Sequence, residues 1–394
     1  MITSERALEL ITRKATRLPV ERRALDRSLG YVLARDVRTA IDFPPFDRSA
    51  MDGYAVAGGD AGSVLTVKGE ICAGGRPRAK VGPGEAVKIM TGAMLPPGAA
   101  RVVMKENADI LDGGRVRIRI AEGKDNISRK GVDLKKGSVL YGAGQAITPV
   151  VLANLAAAGI GDVRVYRKPR VAILVTGSEL LKPGVKYEMG KIYNSNGPLL
   201  HSLLTARGFS EAAQGGAADS LPALVSALRK AFAASDVVII TGGVSVGDYD
   251  FVQRAFDSIG CRLHFSKVAI QPGKPFTFAT HGKKTVFALP GNPVAVFVTW
   301  FLFALPAVMK MSGIEFTHRR HACIFKGTHV RRNAEREQYV PVRFAAGDSV
   351  EAIPFHGSGD LYSLSRADAL MKLPIGKSKV ADGEMVEVLK LDVY

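Results

Sequence analysis

The chain has 394 residues, of which 47% are hydrophobic and 23% charged, and its 54 Lys and Arg against 37 Asp and Glu give a formal net charge of +17. This length predicts two to four domains, and the composition is typical of a soluble globular protein and argues against long disordered segments. Three cysteines without CxxC spacing indicate neither a disulfide framework nor a zinc site, so we expect a reducing, cytoplasmic location.

The positive charge favours anionic partners but does not choose among nucleic acid, a membrane surface and phosphorylated small molecules. The densest basic groups are Arg13 to Arg23 and Arg319 to Arg332, and no nucleic-acid-binding signature accompanies them. The default interpretation is a solvated basic face, and we do not expect a nucleic acid partner.

The first part of the chain has a helical pattern over residues 4–40, with Ser4 and Ser28 as candidate caps. No uninterrupted apolar stretch of a secretory signal is present at the N-terminus. The prolines Pro44 and Pro45 then break the pattern, and short β-like runs alternate with Gly and Pro turns from 41 to about 142. Because helical pattern returns at 150–158, residues 41–142 are predicted to be a β module inserted into a helical domain made of 1–40 and 143–167.

From residue 168 the pattern is α/β. Strands are predicted at 171–175, 236–240 and 286–289, and helices at 197–207, 221–234 (capped by Ser220) and 250–259. The turns TGSE, TGGVSVGDYD and PGNP each follow a strand, so we expect them at the carboxyl edge of one parallel sheet, where open α/β sheets bind ligands. The uncharged stretch Pro293 to Met309 reaches the lower length limit of a membrane span, but its place after a strand favours a helix buried on the sheet over membrane insertion. A terminal β module is predicted over 314–394.

The turn at 241–250 has the composition of an anion-handling site. Gly242 and Gly243 would let the backbone approach a ligand, and Asp248 and Asp250 offer hard oxygen ligands for Mg²⁺. It is not a Walker A loop, because Asp and Tyr stand where Lys and Ser or Thr are needed. Glu179 and Asp219 lie in the same predicted module, and carboxylates gathered at one edge repel each other unless a cation is present.

Other candidate groups occur in short motifs. The lysines Lys267 and Lys274 lie on either side of a Pro-Gly turn and could hold an oxyanion, and Pro290 and Pro293 stiffen the PGNP turn. In the β module, turns carry Asp47 and Asp52, Thr91, and Arg129 with Asp133. Neither HExxH nor GxSxG is present, which disfavours zinc hydrolysis and serine acyl transfer.

Eight motifs together resemble one family. PPFDRSAMDGYA, IMTGA, RKGVD, VTGSEL, TGGVSVGDYD, QPGKPF, LPGNPV and HGSGD occur in the order found in the molybdopterin molybdenumtransferases, the MoeA type of molybdenum cofactor biosynthesis protein, which is similar to the C-terminal domain of gephyrin. The resemblance extends over nearly the whole chain. It implies a multidomain α/β and β protein: a helical N-terminal domain, an inserted β module, a central MogA-like molybdopterin-binding α/β domain (168–313) and a C-terminal β-barrel-like domain (314–394).

The resemblance also implies an activity. Adenylylated molybdopterin and molybdate would become molybdenum cofactor and AMP in a Mg²⁺-dependent reaction of a cytoplasmic homodimer, whose partners would be the molybdopterin adenylyltransferase and molybdoenzyme apo-proteins. The implied functional acidic and hydroxyl positions are Asp52, Thr91, Asp133, Glu179, Asp219 and Asp250, with Glu179, Asp219 and Asp250 as metal ligands. The implied substrate-binding positions are Gly242, Gly243, Ser245, Lys267, Gln271, Lys274, Pro290, Pro293, Arg343 and Ser358.

One departure from the family pattern concerns the presumed molybdate pocket. Many members have Lys-Pro-Gly-Lys where this chain has Gln271-Pro272-Gly273-Lys274, which removes one positive charge. A neutral amide still donates hydrogen bonds but lacks the charge-assisted contribution, so we expect weaker molybdate binding.

Three other functions remain open at this point. An adenylyltransferase or a competence-damage-inducible type of protein would share the central fold but leave residues 1–140 unexplained, and the adenylyltransferase would consume ATP. A non-catalytic scaffold of the gephyrin kind would need a partner-peptide groove, and no motif singles one out.

Overall fold

The computed structural model describes residues 1–58, 60–78, 80–120, 123–209, 213–218, 220–243, 251–355, 357 and 359–391. The chain divides into two compact units. The first contains Met1–Glu21, Gly30–Val32 and Val165–Tyr394, and the second contains Arg22–Leu29 and Leu33–Arg164. The four-domain boundaries given above stay a prediction.

The N-terminal helix is shorter than its sequence pattern predicts. It covers Ser4–Lys14, and its cap is Thr3, whose hydroxyl accepts a hydrogen bond from the amide of Arg6. Beyond Lys14 the helical prediction is wrong. Residues Val20–Ala24 form a strand that pairs with Asp162–Tyr166, because partners about 140 residues away in sequence override the local pattern. Ser28 caps no helix; its hydroxyl donates to Leu25 at the end of a short 3₁₀ turn, Leu25–Arg27.

The second unit contains the predicted β module. Its main sheet has six strands, in the order Arg101–Met104, Gly53–Val56, Glu85–Ile89, Val64–Ile71, Arg115–Ile118 and Ala108–Leu111. Only the Glu85–Ile89 and Val64–Ile71 pair is parallel within this sheet. The unit also contains the strands Val37–Arg38, Arg48–Ser49, Ile127–Ser128 and Val139–Tyr141, the 3₁₀ turn Lys105–Asn107, and the helix Pro149–Ala157.

The α/β module has a six-stranded sheet in the order Ala213–Ala217, Val171–Thr176, Val237–Thr241, Lys284–Leu289, Thr277–His281 and Arg262–Phe265. The first four strands are parallel, and the last two are joined to them by antiparallel pairings. Alternate residues of the central strands point to opposite faces, and each face is covered by helices. These helices are Asn196–Ala206, Leu221–Ala234, Phe251–Ser258 and the composite helix over 293–311, and the short strands Leu180–Leu181 and Ile192–Tyr193 pair beside the sheet.

The composite helix is the apolar stretch that resembled a membrane span. It comprises Pro293–Thr299, one π-helical turn at Trp300–Ala304, and Leu305–Met311. Its mean hydropathy is 1.9, and 94% of it is buried inside the protein. It packs in the largest apolar cluster against the sheet, so it is a core helix as predicted.

The C-terminal module is a closed barrel of five strands. Around the barrel they are Glu337–Ala345, Ser349–Ala352, Arg320–Lys326, Met385–Lys390 and Ala369–Leu373, and the last pairs again with the first. The segment Ile270–Gln271 of the preceding module adds to this sheet parallel to Glu337–Gln338. The strands His329–Val330 and Lys379–Val380 and the helix Leu361–Leu364 complete the module. The QPGK motif is therefore anchored directly to the barrel.

An ion pair holds the amino-terminal edge of the α/β sheet. The guanidinium of Arg167 donates to both carboxylate oxygens of Asp236, at 2.7 and 2.8 Å, and the amide of Arg170 donates to the same carboxylate at 2.8 Å. Burial opposes ionisation of Asp236, but these hydrogen bonds outweigh it and hold its pKa below the usual range.

We expect Asp236→Asn to lower the free energy of unfolding by about 2 kcal/mol at pH 7, less than at a fully buried pair because both side chains keep some exposure. Because the folded-state pKa is lowered, this stabilisation is present above the ordinary pKa of about 3.9 and is lost as the pH falls through the folded value. The difference between variant and wild type in the free energy of unfolding, measured with denaturant, should therefore become smaller below about pH 4. Glu351→Gln, which breaks an exposed pair with Arg343, is the control and should cost at most about 0.5 kcal/mol. Equal losses in the two variants would contradict the assignment.

Candidate functional site

Three turns meet at the carboxyl edge of the α/β sheet. They follow the parallel strands Val171–Thr176, Val237–Thr241 and Lys284–Leu289, so the predicted gathering of TGSE, the TGG turn and PGNP is confirmed. The hydroxyl of Thr241 donates to the carbonyl of Pro290 at 2.9 Å. The amide group of Asn196 donates to Thr241 Oγ1 at 3.0 Å and to the carbonyl of Gly291 at 2.7 Å. Hydrogen bonds therefore connect the TGG turn to the PGNP turn.

Glycine at 242 is required by this meeting of turns. Its φ is +90°, and a Cβ there would lie 2.2 Å from the carbonyl oxygen of Thr176. The close approach observed is to the end of the neighbouring strand of the protein itself, and the predicted approach of a ligand to Gly242 stays a prediction. Gly243 also has a positive φ, of +67°. Ser245, Asp248 and Asp250, which follow in the same motif, lie outside the described residues.

Polar groups at this edge have unused hydrogen-bonding capacity. Thr176 Oγ1 and Asn196 Oδ1 are buried and have no hydrogen-bond partner within the part of the chain that the structure describes. A cavity of about 600 Å³ opens next to them and is lined by Gly177, Leu180, Lys182, Asn194, Gly215 and Gly216 among others. Backbone at glycine positions can approach a planar ligand closely. The edge therefore provides a polar, glycine-lined site of the size of a small organic ligand.

Glu179 stands beside this cavity. Its side chain is exposed and lies over Gly177, where a Cβ would be 2.8 Å from both carboxylate oxygens. It forms no ion pair within the described residues. An exposed carboxylate with two available oxygens fits a hard cation such as Mg²⁺. The other two predicted metal ligands, Asp219 and Asp250, lie outside the described residues, and among those described no cluster of three or more His, Cys, Asp or Glu could hold a metal.

A second cavity, which we call the basic cavity, measures about 880 Å³ and lies between the α/β module and the barrel. It brings together Gln271, Lys274 and Pro290, with Gly357 of the HGSGD motif. The neighbouring Ser358 lies outside the described residues, and Pro293 begins the adjacent helix, whose residue Ala295 lines the cavity. Lys267 and Arg343 do not line it. Lys267 holds Ile2 through its backbone carbonyl, and the exposed Arg343 pairs with Glu351.

Arginines that the motif analysis did not select form one wall of the basic cavity. Arg331, Arg332 and Arg336 line it, and no Asp or Glu is found among its described lining residues. Arg331 belongs to a group interpreted above as a solvated basic face, and that interpretation is wrong for it: its exposed fraction is 6%, and it donates to the carbonyls of Lys377, Arg336 and Pro374. Burial lowers its pKa. The high density of basic residues after position 318 was the sequence feature that could have indicated these cavity-lining arginines.

The second unit assembles its own group of predicted residues. The amide and the hydroxyl of Thr91 both donate to Asp52 Oδ1 at 2.8 Å, and Lys105 Nζ lies 3.5 Å from Asp52 Oδ2. The hydrogen bond from the Thr91 amide is the main cause that holds the pKa of Asp52 below its usual range. Asp133 is exposed, and its amide donates to the carbonyl of Phe43. The motifs that contain Asp52 and Thr91, 39 residues apart in sequence, thus come together. Their hydrogen bonds hold the Asp52 carboxylate in place in its ionised form.

Comparisons with known proteins agree along the whole chain. Residues 2–159 match the family "MoeA N-terminal region (domain I and II)", 172–310 match "Probable molybdopterin binding domain", and 327–391 match "MoeA C-terminal region (domain IV)". A molybdopterin molybdenumtransferase of Staphylococcus aureus (strain Mu50) is 34% identical, with 98% of this chain and 95% of that protein covered. One of Nostoc sp. is 35% identical, with 92% and 87% covered.

A solved structure is also similar over the full length of the chain. The molybdopterin biosynthesis MoeA protein of Pyrococcus horikoshii superposes with a TM-score of 0.83 at 32% identity, and 99% of each chain is covered. Both the fold and the sequence are therefore shared from end to end, and the chain belongs to the molybdopterin molybdenumtransferase (MoeA) family.

Proposed function

We propose that this protein is a molybdenum insertase, which converts adenylylated molybdopterin and molybdate into molybdenum cofactor and AMP. The observation that carries the proposal is that the PGNP turn belongs both to the strand-end edge and to the basic cavity. Pro290 lines that cavity and also accepts the hydrogen bond from Thr241 at the edge. The proposed sites for a pterin nucleotide and for an oxyanion are therefore linked through one turn, which supports a reaction between the two substrates.

Each part of the site has a chemical task in this proposal. The glycine-lined edge binds the pterin and its phosphates through backbone amides. Lys274, Arg332 and Arg336 of the basic cavity bind molybdate, which is a dianion, by charge-assisted hydrogen bonds. Glu179, with Asp219 and Asp250, would hold Mg²⁺, which when bound neutralises charge on the phosphoanhydride. Attack of water on the phosphoanhydride then releases AMP, and molybdate is held beside the dithiolene, whose two sulfurs bind the metal while one oxygen leaves as water with the two thiol protons.

We propose that the protein acts as a cytoplasmic homodimer. Its three cysteines, Cys72, Cys261 and Cys323, are all free thiols, which fits a reducing compartment. The predicted functional residues fall in both compact units. The molybdopterin adenylyltransferase would deliver the substrate and molybdoenzyme apo-proteins would receive the product. Light scattering in solution tests the dimer, and a monomer at assay concentration would refute it.

The experiment for the proposed function measures AMP release from adenylylated molybdopterin with Mg²⁺, with and without molybdate. The reaction mixture is then added to a molybdenum-free reductase. We expect molybdate-dependent release and activation of the reductase. A folded protein that releases no AMP would overturn the proposal and favour a scaffold, whereas consumption of ATP to adenylylate the pterin would identify an adenylyltransferase.

Gln271 gives a prediction on affinity. It lines the basic cavity at the position where many family members have lysine. We expect Gln271→Lys to lower the apparent Kd for molybdate by about fivefold, because it adds one charge-assisted contact. The measurement is the molybdate dependence of AMP release. Gln253→Lys, the same change on the helix Phe251–Ser258 away from the cavity, controls for overall charge. An unchanged molybdate dependence in Gln271→Lys would refute the prediction.

A further inference from the structure

We propose that Ser4 and Glu337 are positioning residues for the QPGK motif. Together they form a link, which we call the N-terminal clamp, between the start of the chain and the barrel, and the segment that carries Gln271 and Lys274 is held within it. The part that these two side chains play in turnover rests on the proposed function, whereas the clamp rests on contacts in the structure. Neither Ser4 nor Glu337 is among the described lining residues of the basic cavity, so both act through the motif.

The segment that leads into the motif is held on both sides by backbone hydrogen bonds. On one side, the amide of Ile2 donates to the carbonyl of Lys267 at 3.2 Å, and the amide of Ala269 donates to the carbonyl of Ile2 at 2.8 Å. On the other side, the amide of Glu337 donates to the carbonyl of Ala269 at 2.9 Å, and Ile270–Gln271 continues this pairing with the barrel. The second residue of the chain is therefore a direct neighbour of the motif segment.

The side chain of Glu337 closes this arrangement. Only 7% of Glu337 is exposed, and its carboxylate accepts hydrogen bonds from the hydroxyls of Ser4 at 2.5 Å and Tyr339 at 3.1 Å. Lys372 Nζ lies 3.0 Å from Glu337 Oε1 and 2.9 Å from Glu5 Oε1. Because Ser4 and Glu5 begin the N-terminal helix, two side-chain links tie the start of this helix to the barrel.

The charges of the clamp favour one fixed geometry. A buried carboxylate is costly unless hydrogen bonds and an opposite charge surround it, so an arrangement in which Glu337 loses a partner is disfavoured. Burial opposes ionisation of Glu5, but the hydrogen bond from Lys372 outweighs it and lowers the pKa of Glu5 to about 2. Burial also opposes the charge of Lys372, yet its hydrogen bonds to Glu5 and Glu337 raise its pKa. The ion pairs therefore persist at neutral pH.

The clamp reaches Lys274 through a single residue. Val268 is fully buried and forms a parallel bridge with Ile2, and its amide donates to the carbonyl of Lys274 at 3.1 Å. A displacement of Ile2 is thus passed to Lys274 through Val268, and to Gln271 through the pairing of Ala269. Both side chains that the motif presents to the basic cavity depend on the same backbone contacts.

The test combines amide hydrogen exchange with the kinetics of AMP release in the full-length protein. We expect Ser4→Ala and Glu337→Gln to speed exchange in residues 267–271 at least about tenfold, because each removes a contact to a charged group. Exchange in the central strand Lys284–Leu289 should not change. The molybdate concentration for half-maximal rate should rise at least about fivefold, with kcat within about twofold of wild type.

The matched control is Glu9→Gln. Glu9 is exposed on the same N-terminal helix and pairs with Arg6 at 2.6 Å, away from the barrel. The same change of charge should leave both the exchange and the kinetics as in wild type. A merely structural defect would lower the amount of active protein, and hence the apparent kcat, without changing the molybdate dependence. Ser4→Ala keeps the test decisive if Glu337→Gln does not fold, since Glu337 then retains two of its three partners.

Two results would overturn the proposal. Wild-type exchange of residues 267–271 in Ser4→Ala would show that the clamp does not hold the segment. Faster exchange with an unchanged molybdate dependence would show that holding the segment does not position the motif for its substrate. Failure of the proposed function looks different: the wild type itself would release no AMP, while exchange of the segment would still depend on Ser4 and Glu337.

Discussion

Replacement of Glu179 by glutamine is expected to slow AMP release by at least about a hundredfold, which corresponds to about 2.7 kcal/mol of lost transition-state stabilisation. The substitution keeps the shape of the side chain but removes the negative charge that a cation requires. Because the carboxylate is exposed and has no ion pair among the described residues, its loss should leave the fold intact. The same result is expected for Asp250→Asn on the basis of the sequence motif alone.

The control for this prediction is Glu188→Gln. Glu188 is exposed nine residues further along, and its backbone carbonyl accepts from Lys191. The same change of charge should therefore leave AMP release within about twofold of wild type. A titration of Mg²⁺ distinguishes the mechanism, since loss of a metal ligand should raise the concentration needed for half-maximal rate. Wild-type turnover in Glu179→Gln would refute the assignment.

Local signals account for the elements that were predicted well. The helix Leu221–Ala234 begins after Ser220, whose hydroxyl accepts from the amide of Ala223, and it has proline in its first turn. The meeting of the three turns needed one more rule, that parallel strands bring their carboxyl ends to the same edge. The start of this helix and the positions of the three turns were both predicted from residues within or next to the element concerned.

The errors arise where distant segments decide the structure. Residues 20–24 become a strand because 162–166 pair with them, a partner that no local pattern indicates. Motif matching selected Arg343 as a substrate-binding residue, which stays a prediction; in the barrel Arg343 lies opposite Glu351 in an antiparallel pair and does not line the basic cavity. Arg332 and Arg336 line the cavity instead, because barrel closure and the pairing of Gln271 with Gln338 determine which basic residues face it. The composition identified the basic segment, but the strand pairing determines which of its arginines line the cavity.

Replacement of Gly242 by alanine is expected to lower the free energy of unfolding by at least about 3 kcal/mol and to abolish AMP release. The φ of +90° is unfavourable for any residue with a Cβ, and the added atom would lie 2.2 Å from the backbone carbonyl of Thr176. Since this contact is with backbone at the end of a buried strand, a side-chain rotation cannot relieve it. The turns that follow the two central strands must separate, and the strand-end edge loses its shape.

Gly260→Ala separates the steric clash from backbone strain. Gly260 has a similar positive φ, of +71°, but a Cβ there would meet nothing within 4 Å. It should cost only the conformational strain of about 1 kcal/mol and leave AMP release unchanged. Denaturant unfolding and the release assay on both variants measure the difference. If the two alanine variants lose the same free energy of unfolding, the close approach at Thr176 is not what requires glycine at 242. If only Gly242→Ala loses both stability and AMP release, the geometry of the strand-end edge is essential for folding and for turnover.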